Sequence, residues 1–278
     1  MNLSIKLKIL ILLSFLTLLF SKCGNNYNLP EQGVCAHRGA NITHPENTLS
    51  AFKEAIRLGA HMIEFDVRMS KDGELVIIHD ATVDRTTNGM GAVAELNFSE
   101  LRQLDAGSWK DLKYKGEKIP TFSEVINIMP KNLWLNIHIK GGVEAAKKVA
   151  KIIIAENRKH QAVIACKTEA VHAVQQIDNS ILICNMERLN DSEAYVDSTI
   201  AMKANFIQLK DRADDSLPEL TSRLIANGIK INYYGTNSPE KLKRLFKYGV
   251  NFPLVDNLKE MMDVTREAGI YPVEPRYE

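Results

Sequence analysis

Met62-Ile63-Glu64-Phe65-Asp66-Val67-Arg68-Met69, followed at once by Ser70-Lys71-Asp72-Gly73-Glu74-Leu75-Val76-Ile77-Ile78-His79-Asp80, decides how this chain folds. An apolar run that carries two carboxylates on alternate positions reads as a strand buried on both faces, the condition of a parallel sheet. Glu64 and Asp66 then share one face, while Ile63, Phe65 and Val67 turn the other way, toward a helix layer. The second apolar run follows too closely for a parallel crossover, which needs a dozen or more residues. It must fold back as a hairpin, and Asp72-Gly73 is the favoured two-residue turn for that. With this turn, Asp66 directly opposes His79 on one face.

Outward from the hairpin, β-rich runs alternate with amphipathic stretches. Strands are expected at 34–38, 62–69, 133–139, 162–166, 181–184, 206–209, 229–234 and 252–255. Helices are expected at 48–58, 122–129, 143–156, 169–176, 193–202, 217–227, 239–248 and 258–267. Such repetition implies an α/β chain closed into a (β/α)₈ TIM barrel over residues 33–278, with its chemistry at the C-terminal strand ends. The regular spacing breaks only after the second strand, where residues 70–121 intervene before the next helix.

Lys plus Arg (35) nearly cancels Asp plus Glu (34), which argues against nucleic acid as a partner. Residues 1–23 precede the fold: Lys6 and Lys8, an apolar run at 9–20, then Ser21, Lys22 and Cys23. This reads as a bacterial export signal rather than a membrane span, since a span needs about 20 apolar residues. Cys23 stands where a lipoprotein signal places its acylated cysteine, although Lys22 replaces the usual small residue before it. Plain secretion or a retained anchor are the alternatives. Residues 24–32 form a polar tether, and the expected location is the periplasm or cell envelope, with a membrane attachment if Cys23 is acylated. Cys35, Cys166 and Cys184 lie in apolar runs without CxxC spacing, so buried thiols are expected.

His37 and Arg38 end the first strand at the face where Glu64, Asp66 and His79 converge. Two close carboxylates in apolar surroundings call for a cation, and hard oxygen ligands suit Mg²⁺ or Ca²⁺. A guanidinium fork such as that of Arg38 grips phosphate oxygens in two places. The bland alternative is a surface hairpin with solvated charges.

Beyond these residues, the chain resembles the glycerophosphodiester phosphodiesterase family. The resemblance rests on Ala36-His37-Arg38-Gly39, Pro45-Glu46-Asn47-Thr48, Ile63-Glu64-Phe65-Asp66-Val67 and Val76-Ile77-Ile78-His79-Asp80. It continues through Asp84-Arg85-Thr86-Thr87-Asn88-Gly89, Leu104-Asp105-Ala106-Gly107-Ser108-Trp109 and Ile119-Pro120-Thr121. It implies a barrel with a small inserted segment after the second strand, here residues 81–120, and a metal-dependent phosphodiesterase in which His37 and His79 are acid and base, Arg38 and Lys140 contact phosphate, and Glu64 and Asp66 bind the divalent cation. Family members usually carry Glu-x-Lys where this chain has His138-Ile139-Lys140, and that glutamate is the third metal ligand. His138 shares a strand face with Asn136 and Lys140, so it should point into the mouth. Three outcomes follow: His138 ligates a metal with more nitrogen preference, such as Mn²⁺ or Zn²⁺; it binds substrate; or the site no longer catalyses. Tyr234 stands where the family often places a tryptophan lining the substrate groove. Rival readings are a phospholipase D-like lyase forming cyclic phosphates and a non-catalytic lipoprotein that binds phosphorylated ligands. The sequence leaves oligomeric state open.

Overall fold

The computed structural model describes residues 27–210 and 216–278. The expected signal, Cys23 and the first tether residues lie outside them. The strands are β1 (Cys35–Ala36), β2 (Met62–Met69), β3 (Leu75–Ile77), β4 (Trp134–Ile139), β5 (Ala162–Cys166), β6 (Leu182–Asn185), β7 (Phe206–Lys210), β8 (Lys230–Tyr234) and β9 (Phe252–Val255). Eight are parallel and close in the order β1-β9-β8-β7-β6-β5-β4-β2, with β1 pairing back to β2. This is the expected TIM barrel, and β3 is an extra antiparallel strand on β2.

The helices are α1 (Leu49–Arg57), α2 (Phe98–Leu101), α3 (Phe122–Ile128), α4 (Gly142–Ala155), α5 (Thr168–Ile177), α6 (Ser192–Met202), α7 (Leu217–Ala226), α8 (Pro239–Lys247) and α9 (Leu258–Glu267). Caps set several starts: the Thr48 hydroxyl accepts from Ala51 N at α1, and Thr121 and Glu124 form a capping box at α3. Ile63, Phe65 and Val67 face this layer as the alternation required. Phe65 lies edge-on to Phe52 of α1 at 5.7 Å between ring centroids and tilted on Phe122 of α3 at 6.1 Å. Truncating so buried a ring to alanine costs about 3–5 kcal/mol. Inside the barrel, Phe206 stacks on Phe252 and Trp134 packs edge-on and tilted against them, so the three rings plug its lower end.

The hairpin register corrects the sequence reading. Val67 pairs with Ile77, Arg68 with Val76 and Met69 with Leu75, while Ile78 N donates to the Asp66 carbonyl at 3.0 Å. Asp66 therefore opposes Ile78, not His79. The loop has three residues instead of two: Gly73, at φ 88°, donates to the Ser70 carbonyl, and Ser70 N donates to the Glu74 carbonyl. The Ser70 hydroxyl favours this longer loop, accepting from Glu74 N at 2.8 Å and donating to Asp72 Oδ1 at 2.6 Å. A one-residue slip exchanges the faces of a strand. The slip does not remove His79 from the mouth, because β3 ends at Ile77 and the pleat no longer sets its direction. The Arg68 Nε instead fixes the backbone there by donating to the His79 carbonyl at 2.9 Å.

The first strand is also shorter than the expected 34–38. Arg38 takes a left-handed φ of 56°, which ends the extended run just after His37. Residues 81–120 pack on the back of the hairpin through Val83, Val93, Leu101 and Ile119 against Val76 and Ile78. At the plugged end, which we call the floor, both described chain termini are tied down. Tyr27 stacks on His160 at 4.8 Å, and Trp134 Nε1 donates to the Pro30 carbonyl at 2.8 Å. At the C-terminal end, Val273 N donates to the Gly59 carbonyl at 3.0 Å and Arg276 N to Asn132 Oδ1 at 2.8 Å. His61 belongs to this floor, with Nδ1 accepting from Val34 N and Nε2 against the Tyr271 carbonyl; burial lowers its pKa to about 4. Among the described residues no helix is long and apolar enough to cross a membrane.

Candidate active site

The open end gathers the candidate site residues His37, Arg38, Glu64, Asp66, His79, His138, Lys140 and Tyr234. Parallel pairing places Asp66 beside His138, and Glu64 sits one pleat below on the same face beside Asn136. Glu64, Asp66 and His138 each offer a ligand atom, and these atoms lie within 4.8 Å of one another. His138 Nδ1 is 3.5 Å from Glu64 Oε1 and 3.4 Å from Asp66 Oδ1. Burial would depress the His138 imidazolium, but the two carboxylates outweigh it and raise its pKa. Burial would likewise raise Asp66, but His138 and Lys140 hold it well below the usual carboxylate range.

Asn47 supports Asp66 from the loop after β1, donating to Oδ2 at 2.9 Å and accepting from the Asp66 backbone N at 3.2 Å. Arg38 adds a contact of 3.5 Å from Nε to Oδ2, and its backbone N donates to Glu64 Oε2 at 3.1 Å. Asp66 Oδ1 is fully buried and has no hydrogen-bond donor, with Lys140 Nζ 3.7 Å away. A buried acceptor without a donor, between two other ligand atoms, fits a cation. The three residues thus offer one nitrogen and two carboxylate donors of the kinds a divalent metal accepts.

Two histidines flank this centre, each tied through Nδ1 to an aspartate. His37 Nδ1 lies 2.7 Å from Asp256 Oδ1, and Asp256 is held by Asn41 Nδ2 at 2.6 Å and Asn237 Nδ2 at 3.1 Å. Burial would lower the pKa of His37, but the Asp256 bond and the Glu64 charge raise it. His79 Nδ1 lies 2.7 Å from Asp80 Oδ1, and Arg85 Nε donates to Asp80 Oδ2 at 2.6 Å, holding that carboxyl down to about 2. With Nδ1 engaged in both rings, Nε2 is the atom left for proton exchange. Tyr234 lies edge-on to His37 at 5.4 Å, on the rim where a substrate would pass.

Arg38 does not stand free in this structure. Its Nη1 donates to Glu46 Oε1 at 2.7 Å, and the same carboxylate accepts two bonds from Arg85 at 2.8 and 2.9 Å. An unbroken chain therefore runs from Arg38 through Glu46, Arg85 and Asp80 to His79. Sequence reasoning gave no role to Glu46, Asn47, Arg85 or Asp256, although the first three stood in quoted stretches and Asp256 directly follows the last expected strand. Asn47 carried a readable signal, since a left-handed φ of 58° is one that asparagine tolerates. A cavity of about 550 Å³ opens beside His138 and Lys140, lined also by Cys166, Lys167, Met186 and Arg188. Burial lowers the pKa of Lys140 there. Cys35, Cys166 and Cys184 are free, buried thiols, as expected.

Comparison with known proteins points one way. Residues 37–260 match the model of the glycerophosphoryl diester phosphodiesterase family. The chain is similar to a glycerophosphodiester phosphodiesterase of Caldanaerobacter subterraneus subsp. tengcongensis, 34% identical over 85% of this chain and 98% of the relative. It is also similar to the crystal structure of a glycerophosphodiester phosphodiesterase from Agrobacterium tumefaciens, with a TM-score of 0.74 and 28% identity over 83% of this chain and 98% of the other. An Oleispira antarctica phosphodiesterase, solved with its product sn-glycerol-3-phosphate, gives a TM-score of 0.74 at 25% identity over 84% and 96% of the two chains.

Proposed function

The chain belongs to the glycerophosphoryl diester phosphodiesterase family, and from that premise we propose that it hydrolyses glycerophosphodiesters to a free alcohol and sn-glycerol 3-phosphate. It is a phosphoric diester hydrolase. The observation that carries the reading is the pair of His–Asp couples, His37–Asp256 and His79–Asp80, on either side of one carboxylate-lined centre. Cleavage of a diester needs one proton removed from the attacking oxygen and one delivered to the departing alkoxide, and two imidazoles at Nε2 can do both. A binding module needs neither.

Glu64, Asp66 and His138 would hold the divalent cation, which when bound would withdraw charge from the phosphoryl oxygens. Arg38 and Lys140 add fixed positive charge to the same oxygens, and Asn47 keeps the Asp66 carboxylate in place. His138 stands in for the glutamate usual in the family, so the site carries one negative charge fewer and favours Mn²⁺ or Zn²⁺ over Mg²⁺ or Ca²⁺. The atom that would bind metal, Nδ1, is also the one whose protonated form the carboxylates favour. Metal affinity should therefore climb as pH rises through the raised pKa of His138, and calorimetric titration at several pH values measures it. A flat dependence would contradict ligation by His138.

The test of the function is direct. Purified protein supplied with each of the four cations should release choline and sn-glycerol 3-phosphate from glycerophosphocholine or a related diester. No release from a panel of such diesters with any cation would refute the reading. We also propose export and acylation of Cys23, supported by Lys6, Lys8 and the apolar run before that cysteine.

A further inference from the structure

We propose that the barrel floor rests on the membrane surface and that the mouth points away from it, so the enzyme takes water-soluble diesters and spares the lipids of its own bilayer. This rests on the proposed acylation of Cys23 and on the geometry of the floor.

Tyr27 is pinned to the floor by His160, with Lys131 Nζ 5.9 Å from its ring, and Pro30 by Trp134. From Cys23 to Tyr27 the chain can span at most about 14 Å, four steps of extended backbone. The eight residues of β2 run from floor to mouth. At about 3.3 Å per residue and the tilt of such barrels, that is roughly 20 Å before the rim loops are added. An anchor at Cys23 therefore cannot reach a bilayer on which the mouth is seated. A bilayer under the floor lies within that reach.

The floor suits that surface. The C-terminal stretch crosses it, held by Gly59, Asn132 and His61, and presents Tyr271 at 76% exposure and Tyr277 at 53%. Tyrosine has the apolar body and polar tip that settle at a membrane–water boundary. Lys131 and Arg276 are offset by Glu274 and Glu278, so charge attraction is weak and the acyl anchor does the holding. A diacyl lipid in the same bilayer would have to leave it and travel the height of the barrel to reach His37 and His79. A diester already stripped of its acyl chains arrives through water.

The test uses full-length protein recovered from membranes and placed in vesicles, with one fluorophore on either Tyr271→Cys at the floor or Ile42→Cys in the loop after β1. The native thiols of the described barrel are buried, which favours labelling at the new positions. Spin-labelled lipid should quench the floor label and leave the Ile42→Cys label bright, while glycerophosphocholine outside is consumed and phosphatidylcholine in the vesicle is not. Quenching at Ile42→Cys, or consumption of the vesicle lipid, would overturn the orientation. A floor label unquenched on particles of doubled mass would show a second copy covering the floor and overturn it too. Mass spectrometry finding Cys23 without acyl chains would refute the anchor, and the proposal with it. Correct quenching without turnover of any diester would support the orientation and refute the proposed function, so the two fail separately.

Discussion

The two His–Asp pairs do the same job by different means. His79 and Asp80 are neighbours in sequence, and their partner Arg85 lies five residues further on, at the start of the inserted segment. His37 and Asp256 are separated by 219 residues and meet only because β1 pairs with β9. Asp80 is backed by a guanidinium that is 45% exposed; Asp256 is backed by two neutral amides, and the His37 ring it holds is 10% exposed against 31% for His79. One pair is local, half-buried and charge-compensated. The other depends on barrel closure and keeps its full negative charge for the imidazole.

The comparison can be broken by removing either ring. His37→Ala and His79→Ala should each lower kcat by about 10²–10⁴, the usual contribution of a positioned acid or base, while circular dichroism stays unchanged. A variant that kept full activity would remove that histidine from the mechanism.

Exchanging the aspartates sharpens the difference. Asp256→Asn should cost about tenfold to a hundredfold in activity, by analogy with carboxylates that orient ligating histidines. It should also move the titration of His37 to lower pH. The Asp256 bond is the largest influence raising the imidazolium, so without it the proton leaves at a lower pH. Carbon-13 or nitrogen-15 NMR of the ring would follow this. The sign applies to stability as well. A raised folded pKa gives His37 a contribution that is full below the unfolded value and is lost as pH rises through the folded one. In Asp256→Asn that window narrows.

The smallest effect belongs to Arg85→Ala. It cuts the links from Asp80 to Glu46 and leaves Arg38 its single bond to Glu46, but exposed ion pairs contribute only about 0–1 kcal/mol each. The expected result is a loss of several-fold in kcat with little change in KM, growing smaller at high salt as the wild-type network is itself screened. Partial recovery with added guanidinium would confirm that position and charge matter. A melting temperature lowered without any change in kcat would make Arg85 merely structural.

Much of the fold was legible because its signals are local. The alternation of Ile63, Phe65 and Val67 with Glu64 and Asp66 follows from a strand's period of two, and the barrel model follows from repeating that unit. The hairpin was legible as an element but not in register, since one hydroxyl, that of Ser70, favours a three-residue loop. The shared location of His37, Arg38, Glu64, Asp66 and His138 was legible from strand ends and faces; His79 reaches the mouth beyond the end of β3, where the register read from the turn does not apply. Their supports were not: Asn47 to Asp66, Glu46 between two arginines, and Asp256 to His37 each join separate elements.

By itself, the sequence determined the repeating units, the inward face of β2 and β4, and the adjacent His79–Asp80 couple. These depend on backbone periodicity and on residues within a few positions of one another. Only the tertiary structure decided which aspartate holds His37, which oxygen of Asp66 remains for a cation, and how both ends of the described chain come to lie on the floor. Closing the barrel brings β1 against both β2 and β9, and no local preference in the chain encodes those meetings.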